Sequence, residues 1–326
     1  MKKILPLSEP LITSYPYYAN IFSLVGARTD YHIPWIYNYF VQLYVFDNLE
    51  ERLRIDYVTP YLGVFFPFIE ENYVSREIAL QRWDGIIHFI RDYVDHGYCI
   101  YALFDVSQIA EYDINFTLCH DMMLYGYDDE RKEVYFADNF KSGKYARGIA
   151  TYEEIINASQ NYMNIRTAAG DNIKPFCCRR YKEGRAPFPF DKSEYIESLV
   201  DYVESKNRNK YGWGPRKHEK CIYGIDIYAY MHKHLHHVKN SKRILDQRGF
   251  YVQWEHKTIL EKSLTYILGA QWKSSFPVEY GILKQDIELS YIILNLCKII
   301  SKLNKYNNKT KTILVSLSVE PATAIF

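Results

Sequence analysis

The sequence has almost no net charge. Its 40 Lys and Arg residues are balanced by 39 Asp and Glu residues, which leaves a formal net charge of +1 over 326 residues. Neither a strongly basic surface for nucleic acid nor a strongly acidic surface for cations is therefore expected. Hydrophobic residues make up 48% and charged residues 24% of the chain. This composition is typical of a globular protein and excludes a disordered or fibrous one.

Long apolar segments are also missing. The first 15 residues contain two prolines and a glutamate, so they lack the apolar core of a signal peptide. The longest apolar stretch after residue 280, Ile287–Ile300, carries Glu288 and Lys298 and is too short and too polar to span a bilayer. We therefore expect a cytoplasmic protein with no signal peptide and no contact with a membrane.

The chain has no cysteine or glycine pattern that indicates a metal site, a disulfide framework or a nucleotide cofactor. The adjacent Cys177 and Cys178 lack zinc-finger spacing, and the segment Gly212–Pro215 lacks the Lys-Ser/Thr of a phosphate-binding loop. In a long chain with no secretory signal, cysteines are expected to be reduced thiols. They stand at positions 99, 119, 177, 178, 221 and 297. We predict neither a cofactor nor a metal.

The hydrophobic spacing divides the chain into two parts. Residues 1–180 mix helical spacing with short alternating strands, whereas residues 181–326 show mainly helical spacing. This mixture predicts an α+β fold with a boundary near residue 180. Helices are expected at Tyr17–Val25, Pro34–Phe46, Arg76–His96, Ser193–Ser205, Asp226–Lys239, Tyr251–Ser274 and Val278–Leu303, and a β-like tail at Thr312–Val319.

Two adjacent strands are predicted to bring a histidine and an aspartate together. The strands Cys119–Gly126 and Glu133–Ala137 are separated by a polar turn, which predicts an antiparallel hairpin. His120 begins the first strand and Asp138 follows the second, so the hairpin makes them neighbours. In a thiol enzyme an imidazole takes the proton from sulfur, and a carboxylate fixes its tautomer. A structural hydrogen-bonded pair is the alternative interpretation.

The sequence of this hairpin resembles a known family. The segment from Cys119, CHDMMLYGYDD, followed by VYFAD from Val134, is similar to the His strand, turn and Asp strand of papain-fold thiol enzymes of the bacteriocin-leader-peptidase type. It resembles still more closely the butirosin acyltransferase group of peptide-antibiotic pathways. Pro34–Asn38 and Gly143–Tyr145 support the match, which covers residues 10 to 160.

The resemblance implies a fold and a reaction. Residues 1–180 would form a papain-like catalytic domain, and residues 181–326 a mainly helical unit on the acceptor side. The family moves an acyl group from a carrier-protein thioester to an amine through a Cys-His-Asp triad. The resemblance thus assigns His120 and Asp138 to the triad, and a carrier protein and a small amine as partners. The acyl group would travel on the phosphopantetheine of the carrier protein.

The nucleophile of the family is missing here. The family places its cysteine at the start of a helix before the His, and this sequence has no cysteine before Cys99. Ala19 is one candidate position, because a helix N-terminus lowers the pKa of a thiol. Ala27 is the other, since it lies seven residues after Asn20, whose amide would serve in an oxyanion hole. Both stay open, and an engineered Cys-to-Ala variant and a natural pseudoenzyme both explain the absence.

Two other functions remain open at this stage. A peptidase would need an open peptide groove, whereas a transferase needs a tunnel for the phosphopantetheine arm. A catalytically inactive module that only binds a carrier protein is the second alternative. Cys119 adjoins His120, but neighbours on a strand point to opposite faces, so Cys119 is expected in the core and not in the triad.

A histidine cluster lies in the second part of the chain. His232 and His236 have the i, i+4 spacing of zinc sites, but Lys233 stands where a hydrolytic zinc helix places its glutamate. A solvated basic face, together with Lys242 and Arg243, is the preferred interpretation. Such a face would attract an acidic carrier protein, because opposite charges accelerate encounter.

Overall fold

The computed structural model describes residues 1–49, 52–207, 220–241 and 245–304, with side chains up to residue 296. The fold is α+β and forms two compact units. The first unit contains Met1–His32 and Gly63–Pro187, and the second contains Ile33–Leu62 and the described residues from Phe188 onward. The sequence predicted one boundary near residue 180. It did not predict that Ile33–Leu62 leaves the first unit, because no change of composition marks that segment.

Strands and helices are interspersed along the described chain. The strands are β1 (Lys2–Ile4), β2 (Leu43–Phe46), β3 (Ile55–Tyr57), β4 (Ile69–Val74), β5 (Cys99–Asp105), β6 (Cys119–Asp128), β7 (Glu133–Lys141), β8 (Lys144–Thr151), β9 (Phe176–Tyr181) and β10 (Cys221–Tyr223). The helices are α1 (Pro16–Gly26), α2 (Ile33–Tyr39), α3 (Leu62–Phe65), α4 (Arg76–Arg82), α5 (Ile86–Asp95), α6 (Tyr152–Ala168), α7 (Lys192–Val203), α8 (Asp226–Asn240), α9 (Arg248–Leu268), α10 (Trp272–Ser275) and α11 (Pro277–Asn304).

An antiparallel sheet forms the centre of the first unit. Its order is β4-β9-β5-β6-β7-β8, and β1 pairs with the end of β6. The predicted β6–β7 hairpin is confirmed, with Met123 opposite Ala137. Its turn forms because the Asp128 carboxylate accepts two backbone N–H groups and Lys132 adopts the left-handed conformation (φ 57°).

Helices α5 and α6 cover one face of this sheet. Phe89 of α5 packs against Phe176 of β9 with ring centroids 4.8 Å apart. Helix α6 begins with a capping box, in which the side chains of Thr151 and Glu154 satisfy each other's backbone N–H groups. The predicted single helix Arg76–His96 was wrong in one respect, because the chain breaks between α4 and α5. Gly85 there has φ 107°, which interrupts a helix.

The second unit is mainly helical, as expected, but it also contains a small sheet in the order β10-β2-β3. The predicted helix Pro34–Phe46 was wrong beyond Tyr39, because Leu43–Phe46 forms the central strand β2. Its β-branched and aromatic side chains suit a strand, and pairing with two neighbours overrides the helical spacing. Helix α9 ends before Gly269 (φ 75°), earlier than the predicted Ser274.

Three sequence predictions lie outside the described residues. They concern the Gly212–Pro215 break, the strand Thr312–Val319, and Lys242 and Arg243 of the proposed basic face. Within the described ranges, we find no helix with the length and apolar character needed to cross a membrane.

Candidate active site

His120 and Asp138 form a hydrogen-bonded pair on the β6–β7 hairpin. The His120 Nδ1 atom lies 2.7 Å from the Asp138 Oδ2 atom. The β6–β7 pairing ends at Met123 and Ala137, three residues after His120 and one residue before Asp138. The two side chains lie beyond this last pair, close enough for the Asp138 carboxylate to reach the imidazole.

Asp138 is completely buried and accepts three hydrogen bonds. Its Oδ2 atom accepts the bond from His120 and another from the Tyr112 hydroxyl at 2.5 Å, and its Oδ1 atom accepts the Asn139 N–H at 2.6 Å. A carboxylate can only accept, so His120 carries its proton on Nδ1 in this pair. The other ring nitrogen, Nε2, therefore has its lone pair available as a base.

The environment of His120 makes its ring more basic. Burial alone lowers the pKa of His120, but the hydrogen bond and charge of Asp138, with a smaller contribution from Asp121, outweigh burial and raise the pKa above its usual value. The His120 side chain is 33% exposed, so a proton donor from solution can reach it. A buried carboxylate that orients a partly exposed imidazole is the arrangement that general-base catalysis needs.

The two alanine candidates lie at different places on α1. Ala19 is fully buried in its first turns, and Ala27 is the residue that ends the helix. The partial negative charge of a helix C-terminus opposes a thiolate, so the helix would not activate a thiol at position 27. At position 19 the helix end is favourable, but complete burial would raise the pKa of a thiol.

The thiols of the first unit are not activated either. Burial raises the pKa of both Cys99 and Cys177 to about 12, and it also raises the pKa of Cys178. The pKa of the half-buried Cys119 is raised by burial and by the charge of Asp105. At neutral pH these four sulfur atoms are therefore protonated and weak nucleophiles.

Asn20 has an unused hydrogen-bond donor. Its side chain is 1% exposed, and its Oδ1 atom accepts a hydrogen bond from the Tyr145 hydroxyl at 3.0 Å. Its Nδ2 atom is buried and has no hydrogen-bond partner. A buried donor without a partner lowers the stability of the fold. The sequence singled out this amide for an oxyanion hole.

The segment before α1 is attached to β7, which the sequence did not reveal. The Asn139 Nδ2 atom donates to the Thr13 carbonyl at 2.6 Å, and Asn139 directly follows Asp138. Ser14 comes next and is buried close to the N-terminus of α1. Thr13 and Ser14 thus precede the N-terminus of α1 in a segment held by β7. In the sequence, the only indication of this segment was the pair of hydroxyl residues before Tyr15-Pro16.

The histidine cluster does not form a metal site in the described residues. The rings of His232 and His236 lie 4.7 Å apart in an edge-to-face arrangement on α8, and His234 of the same helix is buried. No group of three or more His, Cys, Asp or Glu side chains in the described parts of the chain is arranged to hold a metal ion.

No protein-family model matches this chain, and no curated protein matches its sequence at a significant level. The functional assignment therefore depends on the geometry of His120, Asp138 and their neighbours.

Proposed function

We propose that this chain has the papain-like architecture of an acyltransferase that forms amides, and that it acts in the cytoplasm in the biosynthesis of a peptide antibiotic. It would take an acyl group from a carrier-protein thioester and pass it to a small amine. The observation that supports this proposal best is the pair formed by the buried Asp138 and the partly exposed His120, 2.7 Å apart. The triad of this reaction is complete only when a thiol stands near the start of α1.

In a protein with the thiol restored on α1, the proposed reaction proceeds in two acyl transfers. His120 Nε2 takes the proton from the thiol, and the sulfur attacks the thioester carbonyl. The carrier thiol leaves with the proton from His120, and the acyl group stays on the enzyme. The amine then attacks this new thioester and gives its proton to His120, and the enzyme thiol leaves with that proton. Asp138 stabilises the imidazolium in both transfers, and Asn20 Nδ2 is the proposed donor to the oxyanion.

Aromatic side chains at the start of α1 favour an amine over water as the acceptor. The rings of Tyr17 and Tyr18 lie 4.2 Å apart, Tyr15 stacks on Tyr17 at 5.4 Å, and Tyr18 stacks on Phe22 at 6.4 Å. A group of rings beside the nucleophile position would line an acyl pocket and exclude water, which reduces hydrolysis.

The inactive carrier-binding module has one specific observation in its favour. The four thiols Cys99, Cys119, Cys177 and Cys178 have raised pKa values, and alanine stands at both candidate positions on α1. In this alternative the chain binds the acyl carrier protein without turning it over. A cysteine peptidase is the other alternative. It would hydrolyse its substrate, whereas an acyltransferase would form an amide.

The test restores the thiol at each candidate position. Variants Ala19→Cys and Ala27→Cys are incubated with an acyl-loaded carrier protein, and intact-protein mass spectrometry detects the acyl adduct. We expect an adduct on one variant, its loss when His120→Ala is added, and an amide product when an amine is supplied. Release of the acyl group only as the free acid would support a hydrolase. If no variant forms an adduct but the carrier protein still binds, the result would reject the acyltransferase and support the inactive binding module.

A further inference from the structure

We propose that Tyr112 is a positioning residue that fixes Asp138 and lowers the basicity of His120. The Tyr112 hydroxyl donates to Asp138 Oδ2 at 2.5 Å, and His120 Nδ1 lies 2.7 Å from the same oxygen atom. The two donors therefore share one acceptor, and each withdraws negative charge from it. No sequence pattern predicted this role, because Tyr112 precedes Asp138 by 26 residues.

The surroundings of Tyr112 hold its hydroxyl in place. Its ring stacks on Phe136 with centroids 5.6 Å apart and contacts Phe140 at 4.9 Å. Tyr112 ends a 3-10 turn, Ala110–Tyr112, and the next residue, Asp113, adopts the left-handed conformation with φ 48°. A phenol packed between two strand side chains has little rotational freedom, so its hydrogen bond to Asp138 costs little additional conformational entropy.

The direction of the hydrogen bond follows from chemistry. Burial and the negative charge of Asp138 raise the pKa of Tyr112 well above its usual value, so the phenol keeps its proton and donates it. The bond stabilises the carboxylate most when His120 is neutral, because a protonated His120 already neutralises part of that charge. Tyr112 therefore favours the neutral imidazole, which is the form that acts as a base.

Other charged groups near His120 are already engaged. Asp121, on the same strand, contributes a smaller increase to the pKa of His120. Asp105 pairs with the residue before His120 in the sheet, and its carboxylate accepts hydrogen bonds from Ser107 and Asn161. On the elements that pack nearby, Glu111 and Lys141 form an ion pair at 3.1 Å. Asp138 and Tyr112 are thus the pair whose hydrogen bond bears most directly on the imidazole.

The test measures the pKa of His120 directly. Nuclear magnetic resonance of histidine-labelled protein follows the His120 signal against pH, and its assignment comes from its loss in His120→Gln. We expect Tyr112→Phe to raise the pKa of His120 by about half a unit or more. Tyr152→Phe is the matched control, because it removes the hydroxyl of another partly buried tyrosine, which donates to Asp129 at 2.9 Å, just beyond the far end of β6. An unchanged pKa in a folded Tyr112→Phe protein would overturn the proposal.

A measurement on the unaltered chain covers the case in which Tyr112→Phe does not fold. The Tyr112 hydroxyl proton should give a separate, exchange-protected signal that disappears in Asp138→Asn, and its absence from the unaltered protein would also overturn the inference. The role of Tyr112 in turnover rests on the proposed function, whereas its effect on the pKa of His120 can be measured whether or not that function is correct. A shifted pKa without acyl transfer would reject the proposed function alone, and acyl transfer without a shift would reject Tyr112 alone.

Discussion

Two adjacent ion pairs between β4 and β9 allow the cost of burying a charge to be measured in one molecule. Glu71 lies opposite Arg179 and Glu70 opposite Arg180. The two contacts are almost equally short, with Arg179 Nε 2.5 Å from Glu71 Oε2 and Arg180 Nε 2.6 Å from Glu70 Oε2. They differ in exposure, because the side chains of the first pair are 7% and 5% exposed and those of the second 42% and 35%.

The substitution Glu71→Gln should cost far more than Glu70→Gln. The first leaves Arg179 buried with an uncompensated charge, and its Nη1 atom already has no partner in the described structure. Removing one member of a buried ion pair destabilises a protein by about 3–5 kcal/mol. The exposed pair contributes at most about 1 kcal/mol, because water and salt screen it.

The pH dependence of the buried pair has a defined sign. Burial alone raises the pKa of Glu71, but the charge of Arg179 and hydrogen bonds from Tyr73 and Arg179 outweigh burial and lower it. A carboxyl whose pKa is lower in the folded state stabilises the protein above its unfolded pKa of about 4.3. This stabilisation is lost as the pH falls through the folded pKa, and Glu71→Gln removes that part of the acid sensitivity.

Urea unfolding followed by circular dichroism measures both substitutions at neutral pH and at two salt concentrations. The double variant Glu71→Gln/Arg179→Met should recover much of the lost stability, because it removes both charges from the interior. If Glu71→Gln costs no more than Glu70→Gln, burial does not govern these pairs and the reasoning is refuted.

Three further predictions concern the site and its support. In the thiol-restored protein, His120→Ala should abolish turnover without changing the circular dichroism spectrum, and Asp138→Asn should reduce kcat less, since an amide still orients the ring. Because the pKa of His120 is raised, its ion pair stabilises the fold below about pH 6.5, and this contribution is lost as the pH rises through the folded pKa. Urea midpoints of the unaltered protein and His120→Gln should therefore converge as the pH rises, and parallel curves would contradict this. Gly148→Ala would place a Cβ atom 2.4 Å from the Phe136 ring, so it should cost about 1–3 kcal/mol, and Phe136→Leu should recover part of that loss. Equal stability of Gly148→Ala and the unaltered chain would show that the ring can move freely.

The pairing of His120 with Asp138 could be predicted from local sequence alone. Two strands with a polar turn between them make a hairpin, and the alternation of side chains then determines which residues share a face. The sequence alone therefore predicted both this pair and the α+β class. Helix boundaries were less accurate at Leu43–Phe46, where pairing with β3 and β10 decided in favour of a strand.

Only the tertiary structure decided what surrounds the pair. Two contacts join segments that are distant in sequence: Tyr112 with Asp138, and Thr13 with Asn139. The complete burial of Asp138 likewise depends on the elements that pack around it. The position of Ala19 inside α1 is likewise known only once the helix packs. Periodicity reports the face of one element, whereas the environment of a titratable group depends on every element that packs against it, so the sequence determined the pair and the fold determined its chemistry.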